Sequence, residues 1–420
     1  MNFLKYSKKG YNSFKQGGLQ KLYSDIRRFL GNVENKNVVL NATQSLLKKK
    51  PASHLSFITD HPITKPLIEP QGDFNTKKMI LHWVIPDFDP GAGGHMTIFR
   101  TIHFLESFGH ENTIWITYGS KHGSEEKAHQ VIKDFFIDIK GPVKFLHQTN
   151  LDSVKGDAVF ATDRWTAYPV RGIQNVRKRF YFVQDFEPSF YPMGGEFLLT
   201  ENTYHFGFSC ITAGKWLEKI MKEKYQLEAY SFELSVDRNV YFQNEKKQEN
   251  KIVKIAFYAR EVTPRRAVDL GYLALELLSR KISNFHVDFF GWDLGALDVP
   301  YNYTNHGVVS HQQLCELYNQ CDIGIVFSAT NYSLIPQEMM ACGLPVIDLD
   351  LENTRAVFPD DVLSFAKPDP YFITEEILKL INDSELRKSR IESGLNFINE
   401  YNWEKSAKKV EAALTKSLTK

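Results

Sequence analysis

The sequence predicts an α/β protein of two Rossmann-like domains facing a central cleft, preceded by a helical N-terminal appendage. Three observations predict it. Short apolar runs alternate with amphipathic stretches from Lys78 onward. A run without an apolar residue, 243–251, interrupts the alternation. A second alternating series then follows. Strands alternating with helices imply crossover connections and a parallel sheet. A length of 420 residues suits two such domains with an appendage.

In the first series the predicted strands are 79–85, 113–117, 158–161, 179–184 and 208–211, with helices at 96–108 and 215–224. In the second they are 252–258, 287–290, 323–327 and 345–347, with helices at 267–278, 311–320, 335–342 and 375–381. The tail 385–420 reads as helical with a break at Asn402-Trp403. The expected domains are an appendage and strap at 1–75, an N-terminal domain at 76–245 joined by the C-terminal helix 402–420, and a C-terminal domain at 250–400. Residues 4–30 interleave Lys and Arg with apolar side chains around Gly17-Gly18. They either dock on the protein body, the preferred reading, or make a peripheral contact with an anionic membrane surface.

Lys and Arg number 51 against 50 Asp and Glu, a net charge of +1. That balance argues against a dedicated nucleic-acid binder and leaves room for a local phosphate pocket. Cys210, Cys315, Cys321 and Cys342 form no C-x-x-C pair and sit in or beside apolar runs or a predicted helix, as buried reduced thiols do. Neither a signal-peptide apolar core nor a stretch of about 18 apolar residues is visible. The expected location is the cytoplasm, extending to the inner face of the membrane.

In a cleft between Rossmann-like domains, ligands sit at the carboxyl ends of strands. Four segments meet that test. The first is Ser328 to Val346, SATNYSLIPQEMMACGLPV, where a strand runs into a helix starting near Ser333 or Leu334. Backbone N–H groups at such a start suit a pyrophosphate. Glu338, one turn in, can accept hydrogen bonds from two ribose hydroxyls; taken alone it reads as an ordinary helix glutamate. The second is Ala259-Arg260-Glu261-Val262-Thr263-Pro264-Arg265-Arg266, whose guanidinium groups bind phosphate oxygens and stay charged at any working pH. The third is Asp87 to His95, a glycine-containing loop in which Gly93 and Gly94 permit close backbone approach; it is neither G-x-G-x-x-G nor a P-loop. The fourth is Phe182 to Pro188, with Asp185 and Glu187, joined by Asp163 at the preceding strand end. Each acid there is either a sugar ligand or a cap or loop charge.

These residues resemble the retaining GT-B glycosyltransferases. Arg260 and Arg265 align with the Arg and Lys that grip the donor diphosphate, and Glu338 with the second glutamate of E-x7-E. The first glutamate falls on Thr330. The resemblance implies donor contacts at Tyr332, Ser333, Leu334 and Ile335, nucleobase contacts at Gly307 and Val308, and Arg260 and Arg265 as the catalytic pair. Gly93-Gly94-His95-Met96-Thr97-Ile98-Phe99-Arg100, Val183-Gln184-Asp185-Phe186-Glu187-Pro188 and Phe190-Tyr191-Pro192-Met193-Gly194 are similar to WsaF-type rhamnosyltransferases. That similarity implies transfer of L-rhamnose from dTDP-β-L-rhamnose to a bacterial surface polysaccharide, free or lipid-linked, without metal or cofactor. His95, Asp163, Asp185 and Glu187 are then expected to orient acceptor or donor sugar. Two alternatives remain at this stage: a nucleotide-sugar epimerase on the same fold, and a non-catalytic saccharide-binding subunit.

Overall fold

The computed structural model describes residues 55–61, 63–68, 74–90, 92–244 and 252–420. The amphipathic stretch 4–30, most of the expected appendage and most of the polar run lie outside the described residues.

The first lobe runs β1 Ile80–Ile85, α1 Gly93–Ser107, β2 Glu111–Ile116, α2 Glu125–Phe135, β3 Val143–Phe145, β4 Gly156–Ala161, α3 Arg164–Val170, β5 Val176–Val183, α4 Gly195–Asn202, β6 Ser209–Ala213, α5 Lys215–Glu223 and β7 Ala229–Phe232. Its seven strands lie in the order β3-β2-β1-β4-β5-β6-β7, every neighbour parallel. Helices cover both faces, so the central strands are apolar almost throughout. Trp83 stacks on Phe160 with ring centroids 3.9 Å apart, and its indole N–H donates to Asn112 Oδ1 at 2.9 Å. The one polar atom of this buried ring is thereby satisfied.

The second lobe runs β8 Val253–Tyr258, α6 Val268–Ser279, β9 Phe285–Phe290, β10 Asn302–Asn305, α7 His311–Gln320, β11 Ile323–Ile325, α8 Ile335–Ala341, β12 Val346–Leu349, α9 Glu352–Arg355, β13 Ser364–Ala366, α10 Pro370–Asn382 and α11 Ser384–Asn399. Its six parallel strands lie in the order β10-β9-β8-β11-β12-β13. Ser310 and Gln313 close a reciprocal capping box at the start of α7, the device that a Ser-x-x-Gln spacing encodes.

The strand orders locate the sites before any side chain is considered. The first sheet reverses direction between β1 and β4, the second between β8 and β11. At such switch points the outgoing loops part and open a crevice. The loops there are 86–92 and 162–163 in the first lobe, and 259–263 and 326–334 in the second.

The last helix, α12 Trp403–Leu418, returns to the first lobe. Asn402 caps it by accepting from Lys405 N–H at 2.8 Å, which accounts for the break read at Asn402-Trp403. Arg100 on α1 lies over the Trp403 ring at 5.0 Å, and His110 Nε2 lies 3.0 Å from Glu411. Lys178 and Ser417 both reach the Glu228 carboxylate, at 2.8 and 2.6 Å. The chain therefore crosses between lobes twice, and the crossings run side by side: Ser406 Oγ donates to Glu233 O at 2.6 Å, and Arg238 to Asn399 Oδ1. All four cysteines are buried and none forms a disulfide. Among the described residues no helix is long and apolar enough to cross a membrane.

Gly214, between β6 and α5, has φ of +96°, and a Cβ there would lie 2.8 Å from Tyr332 Cε1 of the other lobe. Gly214→Ala should therefore cost about 1–3 kcal/mol, from left-handed backbone and overlap together. A melting midpoint unchanged in that variant would contradict the close approach.

Candidate active site between the lobes

The two loops at the second switch point are fastened to each other. Arg266 Nη1 donates to Ser328 Oγ at 2.9 Å, and Ala329 N–H donates to Arg265 O at 3.0 Å. Asp348, at the β12 end, accepts from Ser328 N–H at 3.0 Å, and Asn353 donates to Ser328 O at 2.7 Å. The arginine turn and the segment after β11 are thus one unit, although some sixty residues separate them in sequence. Arg265 and Arg266 converge on 328–330. Arg260 sits to one side, over the Trp292 ring at 5.5 Å with Nε on Thr263 Oγ1 at 3.1 Å. Arg260, Arg265 and Arg266 lie close enough that the other two lower the pKa of Arg265, after burial as the main cause.

The first lobe meets this unit directly. Asn331 Nδ2 donates to Gln184 O at 2.8 Å and Ala213 O at 3.0 Å, the ends of β5 and β6. Asp185 Oδ2 lies 3.1 Å from Arg265 Nε, an ion pair whose angle falls short of a hydrogen bond. Burial pushes the Asp185 carboxyl upward, and Arg265, Thr330 and Arg266 oppose that shift. Asn331 Oδ1, Ser333 Oγ and Gln337 Oε1 are buried without a hydrogen-bond partner. Polar atoms left unpaired in a native fold call for a reason, and three within seven residues of one switch-point segment mark it as suited to a polar ligand.

Gly93 and Gly94 form the exposed first turn of α1. A Cβ on Gly94 would come 3.5 Å from Gln184, so this turn abuts the β5 end. His95 follows, with Nε2 unpartnered. Burial lowers it to about 4, against the Pro86 carbonyl, so its imidazole is neutral at pH 7. Glu338 is half-buried and raised to about 7 by burial, with Arg100 of the first lobe and the Tyr241 hydroxyl pulling the other way. Tyr241 also meets His311 Nδ1 at 2.8 Å. Gly307 has φ of +64° and its carbonyl accepts from Gly291 N–H at 2.8 Å; Val308 beside it is 73% exposed. The loop carrying Gly307 and Val308 therefore adjoins Trp292.

Three sequence expectations are corrected. Asp163 does not face the crevice: it caps α3, accepting from Thr166 N–H at 2.9 Å, and burial raises it to about 6. Glu187 is also turned inward, accepting from Arg164 N–H at 2.8 Å and from the Tyr181 hydroxyl at 3.2 Å; burial and the nearby Asp163 charge raise it well above the ordinary range. The Tyr332 ring leaves the donor side. It is buried, its Oη accepts from Leu234 N–H at 2.8 Å, and it serves as an interlobe contact. In addition, α8 begins at Ile335, with Ser333 and Leu334 in the preceding turn. Residues that the sequence reading missed are Asn331, Trp292 and Phe190, whose ring lies 4.3 Å from the Arg265 guanidinium. Arg266 carried a signal, since it shares the basic turn. Among the described residues no group of three His, Cys, Asp or Glu side chains is arranged to hold a metal ion.

Residues 253–378 match the family model described as WsaF, C-terminal domain. Over 339 residues the chain is 26% identical to the O-antigen biosynthesis protein RfbC of Myxococcus xanthus, a match that covers 79% of this chain and 26% of that protein. The chain thus spans about a quarter of that relative's length (26%). Sucrose-phosphate synthase from Thermosynechococcus elongatus superposes with a TM-score of 0.61 at 12% identity, covering 81% of this chain and 99% of that one. Anabaena HepE in complex with UDP-glucose superposes with a TM-score of 0.58 at 10% identity, covering 81% and 99%. The fold is the expected GT-B arrangement of two Rossmann-like lobes.

Asp348 is fully buried, with Oδ2 unpartnered, and burial raises it to about 8 against the Leu349 N–H, Arg266 and the Ser328 N–H. A carboxyl whose folded pKa lies above its unfolded value stabilises most below the unfolded value, 3.8, and loses that contribution as pH rises through 8. Asp348→Asn keeps an acceptor for Ser328 N–H and has no such titration. Its melting midpoint relative to the parent should therefore climb as pH goes from 4 to 8; parallel pH profiles would exclude this.

Proposed function

We propose that this chain is a glycosyltransferase that moves a sugar from a nucleotide-sugar donor to a saccharide acceptor in bacterial surface-polysaccharide assembly. The donor in this reading is dTDP-β-L-rhamnose and the anomeric configuration is retained. One observation carries it: Arg265 and Arg266 are fastened to residues 328–329 at the switch point of one lobe, next to the unpartnered polar atoms of 331–337 and against the strand ends of the other.

The chemistry follows from charge. As the glycosidic bond to a nucleoside diphosphate breaks, negative charge grows on the departing phosphate. Fixed cations there stabilise the transition state more than the ground state. Arg265 and Arg266 on one side, with Arg260 on the other, supply that field. In the retaining route the departing diphosphate takes the proton of the incoming hydroxyl, so no carboxylate pair of the glycosidase kind is required. The neutral His95 and the exposed turn at Gly93-Gly94 lie on the first-lobe side, where the acceptor enters in this reading. Lobe closure keeps water from the donor. Support comes from the O-antigen role in the name of RfbC and from the UDP-glucose held by HepE. A lipid-linked acceptor and membrane contact through residues 4–30 belong to the proposal as the wider setting.

A thermal-shift series with dTDP, UDP and GDP tests the nucleotide first, because a ligand of the folded state raises the melting point by mass action. A selective shift with dTDP supports the rhamnose reading, and a selective shift with UDP redirects it to another donor. No shift with any of the three favours the non-catalytic saccharide-binding subunit, for which Thr330 at the glutamate position is the sequence argument. Arg260→Ala should cut turnover of the identified donor by about a hundredfold with the melting point retained. Near-parent turnover in that variant would remove the cationic mechanism.

A further inference from the structure

Arg265 is held from two directions. Its own lobe fixes the main chain, through the Ala329 N–H bond to Arg265 O. The opposite lobe fixes the side chain. Asp185 meets the Nε edge at 3.1 Å, and the Phe190 ring lies 4.3 Å from the guanidinium carbon. A guanidinium has one N–H at Nε and four at its Nη fork, and the fork matches two phosphate oxygens at once. With the Nε edge and one face engaged by the first lobe, the fork is the end suited to a diphosphate.

Asp185 is placed to do this without collapsing onto the cation. Its Oδ1 accepts the Phe186 N–H at 2.8 Å, which fixes the carboxylate plane within its own turn. Phe190 follows on the short helical turn Glu187–Phe190, so anchor and platform come from one loop. That loop packs against the turn Pro264–Arg266.

We propose that Asp185 is a positioning residue for Arg265: a carboxylate of the first lobe that orients a diphosphate-binding cation of the second. The inference rests on the nucleotide-sugar reading above. It also adds something to that reading, because the donor grip is then fully formed only when the lobes are docked. The opposing effect is charge neutralisation. A partly buried carboxylate 3.1 Å from the arginine also weakens its pull on an anion, so removing Asp185 would tighten diphosphate binding if orientation contributed nothing. The sign of the effect separates the two.

The test is a double-mutant cycle read by calorimetry with dTDP, UDP and GDP as probes, on the parent, D185N, D185A, R265A and D185A/R265A. Coupled neighbours show non-additive losses. D185A should weaken binding of the preferred nucleotide on the order of tenfold in the parent and have no effect in the R265A background. D185N keeps one oxygen, which can accept the Phe186 N–H or face Arg265 Nε but not both, and should fall between. A purely structural defect would lower affinity equally in both backgrounds, and that result, or tighter binding by D185A, overturns the proposal. If the parent binds none of the three nucleotides, this inference and the proposed function fall together. Binding by the parent with additive losses removes this inference alone.

Discussion

The arrangement between the lobes depends on how one peptide, at Ser328, is held. Its N–H goes to Asp348, its carbonyl to Asn353, its hydroxyl to Arg266, and the following N–H to Arg265 O. Every one of these groups is buried or nearly so, and a buried peptide group without a partner costs as much as a lost hydrogen bond. β11 is only three residues long, so the chain leaves the sheet early and this network takes over from strand pairing. The arginine turn cannot shift without opening it. Position is therefore transmitted from the strand ends to the cations through hydrogen bonds rather than through apolar packing.

Buried acids divide by what they touch. Asp163, Glu187 and Asp348 lie among hydroxyls and backbone N–H groups, and burial lifts all three. Such acids organise the lobe from inside, where loss of water disfavours their charged form. Asp185 is partly buried, and a guanidinium from the other lobe stands against it. Burial lifts Asp185 as well, but there the guanidinium across the crevice works against the lift. Composition and position along the chain made these acids look alike, and only their partners tell them apart.

The fold was legible because interior strands of parallel sheets read as apolar runs. The strands that the sequence reading missed were β3, β7, β10 and β13, and these are the four edges of the two sheets. An edge strand is short and half-exposed, as in Asn302–Asn305, where no residue is buried, and its pattern merges with that of a loop. In the site, the basic turn and the segment from Ser328 onward were legible as residue types at strand ends. Asp163 with Thr166 three positions on did carry a capping signal, yet the same carboxylate also suits a sugar, and the choice belongs to tertiary structure. Asn331 and Phe190 sit in segments read as candidates, but their individual roles, like that of Trp292, carry no local signal, since each acts on a partner from another loop. The pairing of Glu338 with Arg100 and Tyr241 likewise joins three elements distant in sequence.

The paired crossings, Glu233 beside Ser406 and Arg238 beside Asn399, set what motion the molecule has. One covalent tether between two bodies permits tumbling in every direction. Two adjacent tethers, laced to each other, act as a door with its hinges on one side: rotation about their common line stays soft, while sliding and twisting stretch one strand against the other. Any swing of one lobe against the other is then softest about that line, and each return brings the same surfaces back into register.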